Sequence, residues 1–262
     1  PRSPAYGPRD KIVTFPTRDF GKLTGIAKRA RRSRRRFVNS LEPLARVQAH
    51  FRQRPGSSLA FMESCDLLHP PGELTEPLRF AYASYLAELT DQLTVEEDPV
   101  PELYVLLHEG LSVLANRPAS GAFLRAFEIR LLARAGYEPQ FEQCRACRGA
   151  LPVHQPSFLD LHQGTILCAE CAAATPTPNL EEVGSGVLRR LAALKHIPLA
   201  ACGAELIEGL AAEAASVNGR LLALHLTRPL KSLRFIAQAT TAGRAGNAKV
   251  AEDGSAVIEE RH

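Results

Sequence analysis

Apolar and polar positions along this chain change period near residue 70. Before that point the period is two. "KIVTF" (Lys11 to Phe15) is rich in β-formers, "RDFG" (Arg18 to Gly21) has turn chemistry, and "KLTGIA" follows. "LARVQAHF" (Leu44 to Phe51) puts Val47, Ala49 and Phe51 on one face, and "RPGSS" (Arg54 to Ser58) turns the chain into "LAFMESCDLL" (Leu59 to Leu68). Four or more short strands within about 70 residues predict a small barrel or sandwich, such as an OB-fold. Pro16 cannot donate to a ladder, which places it at an edge or a strand end.

"HPPGELTEP" (His69 to Pro77) ends this pattern, and apolar residues then recur every three or four positions. Leu78, Tyr82, Tyr85, Leu89 and Leu93 predict one helix. "EEDPVPE" separates it from a second, with Asp98 as its expected cap and Leu103, Leu107, Leu111 and Leu114 as its stripe. Phe123, Phe127, Ile129, Leu131 and Leu132 predict a third, stopped by Gly136. Two more helical stretches are expected at Val187 to His196 and Glu205 to Leu226. From Thr240 the text is rich in Ala and Gly and is expected to be a flexible tail. No repeat of fixed period is present.

The fold class expected is therefore α+β: a small N-terminal β-barrel at 1–70, an α-helical domain at 71–140 and 176–239 with an inserted cysteine module at 141–175, and a tail at 240–262. The chain begins without Met, and the text before Tyr6 is short and polar. The barrel is accordingly expected to lack its first strand. No apolar run reaches the roughly 18 residues of a membrane helix, and "PRSPAYGPRD" has no secretory core. A soluble intracellular protein without a membrane partner is expected.

Charge sharpens this division. The net charge is only +4, but residues 1–60 carry 15 Lys and Arg against 3 Asp and Glu, whereas residues 61–143 carry 5 against 14. Two modules with different partners are implied. In "KRARRSRRR" (Lys28 to Arg36), seven of nine residues are cationic: Lys28, Arg29, Arg31, Arg32, Arg34, Arg35 and Arg36. Mutual repulsion favours an exposed loop or strand edge, and phosphate backbones are the natural counterion. Arg46, Arg52 and Arg54 extend the charge. Phe15, Phe20, Phe37 and Phe51 are the available stacking aromatics, each better suited to a core, so backbone-dominated binding is expected.

Four of six cysteines form the pattern C-x2-C, 20 residues, C-x2-C: Cys144, Cys147, Cys168 and Cys171. Two such knuckles can present four thiolates to one tetrahedral ion, and the segment between them can fold back as a hairpin. Zinc in a structural role is the first choice, and iron fits the same ligands. Arg145 and Arg148 stand where they could offset the site's negative charge, and His154 and His162 lie between the pairs. A redox dithiol would need only one pair. Cys65 and Cys202 are isolated and read as small buried hydrophobes. No phosphate loop, dinucleotide fingerprint or H-E-x-x-H is present, and no residues are assigned to catalysis.

The order of these features resembles the RecO family of bacterial recombination mediators. The resemblance rests on Thr17 to Phe37, "LEPL" (Leu41 to Leu44), "FLRAFEIRLLARAGYEP" (Phe123 to Pro139), the four cysteines and "RPLKSLRF" (Arg228 to Phe235). It implies a non-enzymatic DNA repair protein of the bacterial cytoplasm, associated with the nucleoid during repair. Such a protein has an OB-fold, a helical domain and a zinc module. It binds single- and double-stranded DNA, anneals complementary strands, pairs with RecR and helps load RecA onto DNA coated by the single-strand-binding protein SSB. By resemblance the DNA contacts fall on Lys28, Arg29, Arg31, Arg32, Arg34, Arg35, Arg36, Arg46 and Arg52. Arg125 matches a position that docks the SSB C-terminal tail, and Lys231 and Arg234 are further candidates for DNA or a partner. Arg29 stands where the family often has Gly, and Pro16 where it usually has an apolar residue. Two other readings share some features: a zinc-ribbon protein associated with RNA or the ribosome, and a nuclease, for which the basic module offers only Asp10, Asp19, Glu42 and His50.

Overall fold

The computed structural model describes residues 5–6, 9–54, 56–57, 59–118, 120–151, 155–174 and 179–241. The period-two region forms β1 (Ala5–Tyr6), β2 (Asp10–Pro16), β3 (Lys22–Ala27), β4 (Arg46–Arg52) and β5 (Leu59–His69). They make one sheet in the order β1-β2-β3-β5-β4, with β3 and β5 parallel and the other neighbours antiparallel. Pro16 ends β2, opposite Lys22, so its missing N–H interrupts no central ladder. Val47, Ala49 and Phe51 share a face as expected and pack on a core of Val13, Ala27, Ala30, Phe37, Leu41, Met62 and Cys65.

The sheet does not close, which corrects the expected barrel. Closure requires the two edge strands, β1 and β4, to pair. Among the described residues β1 has two residues and its ladder runs only to β2, so β4 keeps an open edge.

The helical region contains α1 (Pro77–Leu93), α2 (Pro101–Asn116), α3 (Gly121–Arg134), α5 (Ser185–Leu194) and α6 (Ala211–Ala223), with the short α4 (Ala169–Ala174) in the cysteine segment. Glu76 caps α1 by accepting from the N–H groups of Leu78 and Arg79, and Ser120 caps α3 through Phe123 N–H. Asp98 does not cap α2, contrary to expectation: Val100 occupies the cap, without a side-chain bond, and Pro101 opens the helix. Residues 96–98 are engaged elsewhere. Glu97 N–H donates to Lys22 C=O at 3.1 Å, Thr24 Oγ1 to Glu96 at 2.8 Å, and the Asp98 backbone lies against Gly21. A Cβ at Gly21 would sit 2.5 Å from Asp98 O, and its φ of 66° is left-handed, so glycine is needed there twice over. The helix expected at Glu205 to Leu226 is split. A 3-10 turn at Ala204–Ile207 precedes Gly209, whose φ of 74° breaks the run before α6. Residues 232–241 are helical, and 242–262 of the expected tail lie outside the described residues.

A second sheet, β6 (Gln140–Cys144), β7 (Pro156–Asp160), β8 (Thr165–Cys168) and β9 (Leu180–Gly184), has the order β6-β8-β7-β9. Its inner residues Phe141, Leu159, Ile166, Leu167 and Val183 belong to the same apolar cluster as the helices. Asp91 near the end of α1 joins the parts. It takes Lys22 from β3 at 3.6 Å and Arg228 from the C-terminal stretch at 2.7 Å.

One polar cluster lies between the helices, buried except for the edge of Arg125. Glu128 on α3 is 1% exposed, and Arg125, one turn before it, is 12% exposed and holds it with two nitrogens. Tyr85 of α1 donates to Glu128 at 2.6 Å, and Asn218 of α6 donates to it at 2.9 Å. Burial opposes the Arg125 charge, but Glu128 more than offsets it, so Arg125 holds its proton more tightly than usual. Removing one partner of such a pair strands the other charge in the core. Arg125→Ala should therefore cost about 3–5 kcal/mol in denaturant-measured stability. A loss of less than about 1 kcal/mol, the range of exposed pairs, would contradict this picture.

Candidate nucleic-acid interface and metal centre

The basic stretch is a loop between β3 and β4, and its composition explains its shape. It leaves β3 through Arg29, whose φ of 57° is left-handed. A side chain in that region costs about 1–2 kcal/mol. Here Arg29 N–H donates to Asp10 Oδ1 at 2.8 Å, which stabilises the turn. This is the position where resemblance suggested Gly, and the arginine adopts the glycine-like conformation. A 3-10 turn, Ala30–Arg32, follows. Ala30, Phe37 and Leu41 are buried in the sheet's core, and Cys65 N–H donates to Arg36 C=O at 2.8 Å. These apolar anchors pin the loop at three points and leave Arg31, Arg32, Arg34, Arg35 and Arg36 exposed between the first two.

Lys28, Arg29, Arg31, Arg32, Arg34, Arg35 and Arg36 are all exposed, and none forms an ion pair within the described residues. Arg36 donates to Lys28 C=O at 3.0 Å and lies 5.3 Å from the Phe37 ring centroid. Arg46 and Arg52 point outward on β4, so the structure brings both to the same module. Arg52 is paired with Glu63, whereas Arg46 has no ion pair among the described residues. Among the aromatics, Phe37 is core, Phe15 and Phe51 pack against that core, and exposed Phe20 sits edge-on to Phe51 at 5.5 Å. The residue missed from sequence is Phe61, exposed on β5 with Lys28 Nζ 5.9 Å from its ring centroid. The alternation in "LAFMESCDLL" contains it, since Ala60 and Met62 turn inward and leave Phe61 outward.

The four cysteines converge. Their sulfurs all lie within 4.8 Å of one another, and Cys147 Sγ and Cys168 Sγ are 3.9 Å apart. Four sulfurs at about 2.3 Å from one tetrahedral ion are about 3.8 Å apart, so the set fits a thiolate-bound metal. All six cysteines are free thiols. β6 and β8 deliver Cys144 and Cys168, the first turn of α4 delivers Cys171, and the tight turn after Cys144 delivers Cys147, closed by Cys144 N–H to Gly149 O at 2.9 Å. The expected hairpin is present as β7–β8. Burial works against ionising Cys144, but backbone N–H groups of Cys147, Cys168 and Ala146 overcome it and bring the thiol to about 6. Hydrogen bonding to Cys168, with burial and the Cys144 charge, pushes Cys171 up to about 12. Clustered thiolates repel one another, and a metal ion held among these sulfurs would relieve that repulsion. Arg145 pairs with Asp160 at 3.3 Å, so its charge is already shared, and Arg148 is exposed. His162 is not among the clustered ligands, and His154 lies outside the described residues. Cys65 and Cys202 are buried, and burial raises both thiols, Cys65 to about 11. Lys231 lines a cavity of about 230 Å³ between β2, β3 and α1.

Comparison with known proteins identifies the family. Residues 2–71 match the family model described as Recombination protein O N terminal, and residues 74–234 match Recombination protein O C terminal. The chain is 39% identical over 236 residues to the DNA repair protein RecO of Anaeromyxobacter sp. (strain Fw109-5), covering 90% of this chain and 92% of that protein. It is 35% identical over 234 residues to that of Syntrophus aciditrophicus (strain SB), covering 88% and 90%. For Myxococcus xanthus (strain DK1622) the figures are 37% over 240 residues, covering 89% and 92%. The chain belongs to the RecO family of DNA repair proteins.

Proposed function

We propose that this chain binds single- and double-stranded DNA through its basic loop, anneals complementary strands and, with RecR, helps load RecA onto SSB-coated single strands in the bacterial cytoplasm. The observation that carries this reading is the loop itself: seven exposed cations in nine residues, none in an ion pair within the described residues, on a segment pinned by Ala30, Phe37 and Leu41. The open five-stranded sheet beneath it is compatible with an OB-fold, which is itself a partly open barrel. Annealing needs no hydrolysis and no catalytic residue. Two complementary strands repel each other, and a fixed cationic surface lowers that cost while leaving base edges free to pair. RecR, SSB and RecA enter through family membership. In this reading the SSB tail meets the helical unit beside Arg125. Glu128 already holds that guanidinium, so the tail reaches only its exposed rim.

The four cysteines would hold one structural Zn2+, whose chemistry is to neutralise the thiolates and tie the two knuckles together. With four protein ligands it has no open position for a substrate.

Changing Arg31, Arg32, Arg34 and Arg35 together to Gln should weaken binding of single and double strands by about 10- to 100-fold, alike for all sequences, and slow annealing of complementary strands. Unchanged affinity and annealing rate in that variant would overturn the reading. Metal analysis of the intact chain should find one zinc per molecule. Cys147→Ser should lower that content and the thermal transition while sparing DNA affinity. Intact protein with neither zinc nor iron would refute the metal assignment.

A further inference from the structure

The outward face of the first sheet carries a row of cross-strand neighbours. Ile12 on β2 stands opposite Ile26 on β3, Ile26 opposite Phe61 on β5, and Phe61 opposite Arg52 on β4. Residues paired in this way share a face. Ile12 and Ile26 are half-buried, while Phe61 is 39% exposed although its strand has neighbours on both sides. Ala60 and Met62 fill the core on the other face, so the ring has no inward option. What lies near it is cationic. Lys28 Nζ sits 5.9 Å from the ring centroid, and Arg52 is the cross-strand neighbour. Lys28 also opens the basic loop, so the ring adjoins the proposed phosphate-binding segment.

We propose that Phe61 is a stacking platform for a base of single-stranded DNA, with Lys28 and Arg52 taking the phosphates on either side. This rests on the DNA-binding reading above. A half-exposed apolar strip one ring wide, bordered by cations, suits a ligand that alternates a flat apolar face with an anion. A nucleotide strand is such a ligand, and duplex DNA, with its bases already stacked, is not. Lys28 makes only a solvent-exposed contact with the ring, a weak one, so a base can displace it toward a phosphate. Glu63 pairs with Arg52 in the free protein, so a phosphate there competes with a carboxylate. The loop alone would bind any polyanion. The ring adds a preference for strands whose bases are unpaired.

Three probes separate the contributions: an oligothymidylate of about 16 nucleotides, an abasic strand of the same length, and a duplex. Phe61→Ala should weaken oligothymidylate binding by about 5- to 150-fold, and change the abasic strand and the duplex by less than about 2-fold. Its thermal transition should match that of the parent, since the ring is half-exposed. The chain contains no Trp, so Phe61→Trp places a single indole at the site. Its emission should be quenched by oligothymidylate and not by the abasic strand. Equal loss on thymidylate and abasic strands, no loss on either, or an indole insensitive to bases would overturn the inference. If the parent protein binds none of the three probes, the DNA-binding reading itself fails.

Discussion

Like charges confined to a short loop repel one another, and the first module is organised around that constraint. Left free, "KRARRSRRR" would extend into solvent and pay the full entropy of ordering on every binding event. Here Ala30, Phe37 and Leu41 are drawn into the core beneath it, and a backbone bond from Cys65 to Arg36 fixes its far end. Burial of these apolar side chains thus holds in place a short loop with seven exposed cations. No carboxylate among the described residues neutralises them, and the acid content of the chain is concentrated in the next module.

The second module is built from the opposite case, a charge pair largely buried in apolar surroundings. Arg125 and Glu128 look like an ordinary surface pair one turn apart. In the structure Tyr85 and Asn218 converge on Glu128 from α1 and α6, which makes the pair a joint between three helices. The cysteine module sits on the same apolar cluster, so the knuckles that bring its sulfurs together are braced from below by Phe141, Leu159 and Ile166. Asp91, bonded to both Lys22 and Arg228, joins the two charge regimes.

Local features were legible in the sequence. Strands β2 to β5 follow from alternation and turn residues, and the cysteine spacing announces its own convergence. Family resemblance carried the rest of the functional outline. What escaped was long-range. Nothing in "EEDPVPE" says that residues 96–98 dock on Lys22 and Thr24 and so leave α2 without Asp98 as its cap. Gly209 sits in a helical pattern that tolerates one glycine, and only its left-handed backbone reveals a break. Barrel closure depends on pairing between strands some forty residues apart, which alternation does not encode. Phe61 was hidden because a strand's period marks two faces without saying which one meets the core.

The central claim is that the pinned cations meet phosphates together. Titrating single-stranded DNA binding against salt measures this directly, since each neutralised phosphate releases condensed counterions. If about six of the seven engage, the log–log slope should lie near −4. An affinity that stays flat between low and moderate salt would contradict the account.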